Sequence, residues 1–146
     1  LPGLNLHDLM QLSIERLRRF FDGLTLPSTM LDDALKLLLD AAGLKSQARF
    51  LVFHCADKMG FGTPYYESID LIDAFHPQTI LAWALNDEPL MVGNGAPLRL
   101  RVERQLGYKQ AKYVERIEAV DDLSKLYGGK GGYWEDGAGY EWYAGI

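Results

Sequence analysis

Between Asn94 and Tyr113 the chain strings together a tight turn, an alternating strand and a second group of cations, and no other stretch limits its fold so narrowly. Asn94 and Gly95 suit the turn because both tolerate positive φ. Pro97 then fixes an extended backbone. Leu98, Leu100 and Val102 alternate with Arg99, Arg101 and Glu103. That period of two reads as a strand with its arginines on one face. Lys109 and Lys112 follow closely. An arginine fork, ammonium groups and a turn of free N–H groups together suit a phosphate.

The charge balance makes this cluster local. The 146-residue chain carries a net charge of -5, which argues against general nucleic-acid binding. Yet Arg99, Arg101, Arg104, Lys109, Lys112 and Arg116 crowd one segment, an anion site on an acidic body. The length suits one domain, 1–146, with a real core. A single Cys excludes an internal disulfide. No apolar run is long enough to span a membrane, and no signal peptide is read. The chain opens Leu1-Pro2, which reads as a fragment or a processed form.

The spacing predicts helices first and strands later. Asn5 can cap a helix carrying Leu6, Leu9, Met10, Ile14, Leu17, Phe20 and Phe21, ended by Gly23. Thr29 and Asp32 resemble a capping box for a second helix through Leu35, Leu38 and Leu39 to Gly43. Ala48 to His54 reads as a buried strand. Lys58 to Pro64 is a Gly-rich loop, and Ser68 can cap a short helix through Leu71, Ile72 and Phe75. Further strands are expected at Thr79–Leu85, Leu98–Glu103 and Tyr113–Val120, with a turn at Asn86-Asp87. The aromatic segment from Tyr133 to Tyr143 should pack back on the body. This order indicates an α+β domain.

The stretch NGAPLRL…GYKQAKY also resembles the pterin-phosphate region of the sulfite-oxidase-type molybdopterin-binding domain, which carries H/N-G-x-P-x-R and then G-x-K/R-x-x-K. The Asn form is similar to a bacterial branch that includes periplasmic methionine-sulfoxide reductase catalytic subunits. The resemblance runs from Leu37 to Ile146 and includes ARFLVFHCAD, PYYESIDLIDAFHPQTILAWALNDEPL, RVERQLGYKQAKYVERIE and GGYWEDGAGYEWYAGI. It implies a molybdopterin-binding fold with mixed β-sheets and N-terminal helices. It implies the molybdenum cofactor as ligand, held through Asn94, Arg99 and Lys112, with Lys109 at the motif's first basic position. It also implies a bacterial periplasmic location and a sulfur-centred substrate, while the redox partner stays unknown.

One part of the family pattern is missing. In that family a cysteine thiolate, in a C-x-x-x-W-type loop, ligates the molybdenum. Here Ser13 to Lys36 holds no Cys, Trp or His and reads as amphipathic helices. Residues 1–36 are therefore the divergent segment and 37–146 the family-like one. The segment around Leu17, Phe20, Phe21, Met30, Leu31 and Leu35 either packs the core or fills the cofactor cavity.

Other candidate residues are set against plainer readings. Phe53-His54-Cys55-Ala56-Asp57 offers three metal-ligand types, but His54 and Cys55 point to opposite faces of a strand. No CxxC or HxxxH partner exists, so no metal site is expected and Cys55 reads as a buried thiol. Asp57 and Tyr65-Tyr66-Glu67-Ser68 fall where the family's cofactor-side loops lie, with Tyr66 left between a packing and a donor role. Gly128-Gly129-Lys130-Gly131-Gly132 lacks the spacing and hydroxyl of a phosphate loop and reads as a flexible surface loop. Three histidines give no nucleophilic triad.

The reading is a molybdopterin-binding oxidoreductase domain without its thiolate ligand, inactive as it stands. The alternatives are a non-catalytic engineered or degenerate scaffold of this fold, and a small-anion binding module. In each, the expected partner is a small anionic ligand.

Overall fold

The computed structural model describes residues 34–146, and its organising element is β1, Phe50–Lys58. Leu51, Val52, Phe53, His54 and Cys55 are all buried, so both faces of this strand are covered. β2 (Pro64–Asp70) and β7 (Val114–Val120) flank β1 in a three-stranded antiparallel sheet. The expected strand over Ala48–His54 is thus present but extends to Lys58. The expected helices before residue 34, with the Thr29 capping box, lie outside the described residues.

Helix α1 (Ala34–Ala42) ends at Gly43, whose φ of 68° is the left-handed stop expected from sequence. Its Leu35 and Leu39 are buried with Leu51, Phe53, Cys55 and Ile69. The same core takes Leu81 from β3 (Thr79–Ala82) and Leu100 and Val102 from β6 (Arg99–Val102). β3 and β6 pair antiparallel, with Leu81 opposite Leu100 and Thr79 opposite Val102. The alternation read from Leu98–Glu103 therefore holds: Leu100 and Val102 face in, and Arg101 faces out. β4 (Ala84–Leu85) and β5 (Glu88–Pro89) form a small hairpin around Asn86 and Asp87. Both turn residues have positive φ, 53° and 63°, as a primed turn requires. The architecture is α+β, with antiparallel sheets where mixed ones were expected.

Ser68 is a correction. It sits inside β2, opposite Val52, and donates its hydroxyl to Gly131 O at 2.5 Å. Asp70 caps the short α2 (Leu71–Ala74), accepting from Asp73 N at 2.7 Å. The cap must reach an N–H of the first turn, and only the residue adjoining the helix does so here. The PYYESID segment is accordingly a strand rather than a loop.

The C-terminal segment folds back as expected. Helix α3 (Tyr133–Ala138) precedes Trp142, which meets Phe50 edge-on at 5.4 Å between ring centroids and donates Nε1–H to Ser68 Oγ at 2.8 Å. The fold thereby covers β2 with residues from the far end of the chain. No helix among the described residues is long and apolar enough to cross a membrane.

Candidate functional site: a cationic glycine turn

The turn before β6 is built around Gly95. Its φ is 104°, a conformation that strongly favours glycine, and Gly95 N–H donates to Val92 O at 3.0 Å. The backbone of 110–114 runs alongside: Leu100 N donates to Ala111 O at 2.8 Å, Val114 N to Leu98 O at 2.9 Å and Tyr113 N to Gly95 O at 3.1 Å. These bonds bring Lys112 to the turn. A β-carbon on Gly95 would lie 2.9 Å from Lys112 Cγ and 3.3 Å from Arg99 Cβ. Glycine is needed twice over, for its φ and for the close approach of two cationic side chains.

Arg99 Nη1 donates to Asn94 O at 2.9 Å, and Lys112 Nζ to Gly93 O at 3.2 Å. Arg99 Nε is buried with no hydrogen-bond partner among the described residues. Neither cation forms an ion pair with a carboxylate among the described residues. The other basic residues of this segment are neutralised. Arg101 holds Glu103 with two donors, Arg104 meets Asp73 at 3.1 Å, and Arg116 meets Glu118 at 2.7 Å. Arg99 and Lys112 are the pair left with charge to offer, and a buried unpartnered N–H beside an ammonium suits an anionic oxygen. The phosphate end of a pterin cofactor therefore fits the residues present.

Lys109 lies elsewhere. It is fully buried, with Nζ 2.5 Å from Glu135 Oε1 and 2.8 Å from Glu67 Oε2. The structure joins Asn94, Arg99 and Lys112 at one turn and separates Lys109 from them. Sequence reading missed Glu135 and named Glu67 only as part of the Tyr65-Tyr66-Glu67-Ser68 run, without this role. The available signal was a carboxylate in the middle of a strand with buried neighbours, because such a charge needs a partner.

Cys55 is buried in the core and its thiol is pushed up to about 12, first by desolvation and then by Asp57, Glu67 and Glu115. His54 faces the opposite side of β1, between Tyr127 Oη and Glu118 Oε2, each at 3.0 Å. Burial, aided by Arg116, holds its imidazole below the usual histidine value. No group of three or more His, Cys, Asp or Glu could hold a metal ion among the described residues. Thiol reagents are expected to label Cys55 slowly in the native chain and rapidly once it unfolds, because the thiolate is the nucleophile. Cys55→Ala is expected to cost about 1 kcal/mol. Rapid native labelling would contradict this placement.

Among the remaining candidates, the two tyrosines of β2 have structural partners. Tyr66 donates to Asp136 Oδ2 at 2.5 Å, and Tyr65 to Tyr108 O at 2.8 Å. The glycine loop turns its N–H groups inward. Gly128 N and Lys130 N donate to the Asp136 carboxylate at 2.9 and 2.8 Å, so these donors are satisfied within the chain.

Sequence comparison places the chain among known proteins. A putative protein-methionine-sulfoxide reductase subunit of Azospira oryzae is 36% identical over 107 residues, covering 73% of this chain and 36% of that relative. A protein-methionine-sulfoxide reductase catalytic subunit of Campylobacter jejuni is 32% identical over 62% of this chain and 34% of its own length. The Xanthomonas campestris catalytic subunit is 42% identical over 41% of this chain, and 19% of its own length is matched. This chain thus spans little more than a third, at most, of the length of these relatives. The family model described as "oxidoreductase molybdopterin binding domain" matches residues 33–127, a range that contains the whole Asn94–Arg99–Lys112 turn, and the chain belongs to that family.

Proposed function

We propose that this chain anchors a molybdopterin cofactor, with Asn94, Arg99 and Lys112 holding the pterin's terminal phosphate. The observation that carries the reading is the pair of cations at Gly95 without a carboxylate between them. Arg99 supplies directed donors, Lys112 a mobile point charge, and Gly95 the close approach. Asn94 lends its carbonyl to orient the guanidinium, at 2.9 Å. When bound, molybdopterin supplies metal-centred oxygen-atom transfer, and the protein's part is positioning and electrostatics. By likeness to relatives named as methionine-sulfoxide reductase subunits, the substrate class of the whole protein is a sulfoxide.

We also infer that the chain as it stands does not turn over. The family's metal takes a cysteine thiolate, and Ser13 to Lys36 holds no cysteine. Cys55 does not fit that role, because its thiol is buried and its ionisation is strongly disfavoured. Phosphate contacts alone accelerate no chemistry, since binding that is equal in ground and transition states leaves kcat unchanged. The test is expression with ample molybdenum cofactor, followed by pterin and metal analysis and a sulfoxide-reduction assay. Pterin retention without turnover is the expected result. Stoichiometric molybdenum with activity lost in Cys55→Ser would overturn the second inference and leave the first intact.

A further inference from the structure

Away from the cationic turn, three charged side chains are sealed inside the fold. Glu67 on β2, Lys109 on the 3-10 turn Gly107–Lys109 and Glu135 on α3 each have no solvent exposure. Lys109 Nζ hydrogen-bonds Glu135 Oε1 at 2.5 Å. The same ammonium lies 2.8 Å from Glu67 Oε2, an ion pair. Among the described residues Glu135 Oε2 has no hydrogen-bond donor, and Glu67 Oε2 has only the Lys109 ammonium at ion-pair distance. Both oxygens converge on Gly132, where a β-carbon would overlap Glu135 Oε2 and lie 2.6 Å from Glu67 Oε2. Two carboxylates facing one another repel, whereas a carboxylic acid and a carboxylate share a hydrogen bond. Two carboxylates and one ammonium also leave an uncompensated negative charge in a dry interior, which one retained proton removes.

We propose that Glu67, Lys109 and Glu135 form a proton-dependent latch, in which one proton shared by the two carboxyls fastens the C-terminal segment to β2 and to the turn at Lys109. The fastening is placed where that segment docks. Gly132 bridges to Glu67 through the backbone, and the Trp142 ring lies 5.5 Å from Lys109 Nζ.

The groups around the latch leave its titration isolated. Glu67 is raised from 4.5 to about 8, first by desolvation and then by Glu135, against the opposing pull of Lys109. Cys55 on β1 is pushed up to about 12, and Tyr65, Tyr66 and Tyr108 are all shifted upward. A carboxyl raised in the folded state stabilises fully below its unfolded value. That stabilisation is lost as pH rises from about 4.5 towards about 8, and the dependence flattens above. Within this window the opening equilibrium of the latch should grow about tenfold per pH unit.

The test uses the full chain. Infrared difference spectra should contain the C=O stretch of an un-ionised carboxyl at pH ~6, lost towards pH ~9 and missing in Glu67→Gln. Hydrogen exchange over residues 132–146, corrected for intrinsic rates, should accelerate about tenfold per pH unit in the native chain and stay flat in Glu67→Gln, whose amide mimics the protonated acid. Absence of the un-ionised carboxyl band, or the same exchange slope in both proteins, would overturn the latch. Should Glu67→Gln fail to fold, the native infrared titration and the matching Glu135→Gln exchange profile decide the question.

Discussion

Lys109→Met should destabilise the protein by about 3–5 kcal/mol, the cost of removing one partner from a buried ion cluster. Methionine fills a similar volume, so the loss reports charge rather than a cavity. It leaves Glu67 and Glu135 facing each other at zero exposure, without the ammonium that touches both. The effect should soften in acid, where protonation relieves the repulsion. Replacing all three residues by apolar ones of matched size should recover much of the loss, since such swaps are often neutral. Urea midpoints at unchanged slope give the measurement. A loss below about 1 kcal/mol would mean that Lys109 is not the neutralising group.

Arg99→Ala should weaken binding of phosphate or sulfate at low salt by roughly ten- to a hundredfold, the scale of one hydrogen bond to a charged group. Arg99 brings a buried Nε with no partner among the described residues and a guanidinium already oriented on Asn94 O. Lys112→Ala should weaken binding less, because an exposed ammonium contributes a screened point charge. Arg101→Ala should leave affinity unchanged, since its guanidinium is held by Glu103 and Gln110. The concentration dependence of the melting temperature measures all three variants through mass action. Equal losses for Arg99 and Arg101 would indicate a diffuse basic surface instead of a built site.

The contrast between Arg99 and Arg101 marks how far the chain could be read without its fold. Both were placed correctly on one strand face, because alternation is a property of the extended backbone and needs no distant residue. The Asn94–Gly95 turn, the Asn86-Asp87 hairpin and the Gly43 helix stop were legible for the same reason: each rests on local φ preferences. Asn94, Arg99 and Lys112 lie close together in sequence, so a short motif could place them side by side. What each cation is paired with was not legible. Lys109 matched the motif's first basic position less securely than Asn94 and Lys112 matched theirs, and its partners come from β2 and from α3, the latter 26 residues away. Ser68 reads from sequence as the helix cap, but the register of β2 against β1 holds it inside the strand and the cap falls to Asp70. The sequence by itself determined the β1, β3, β6 and β7 strands, the turns and the cationic loop, because these follow from backbone periodicity and steric limits, while β2 reads from sequence as loop and helix cap. Only the tertiary structure decided which charges stay free for a ligand and which are consumed inside, because desolvation and pairing depend on segments far apart in the chain.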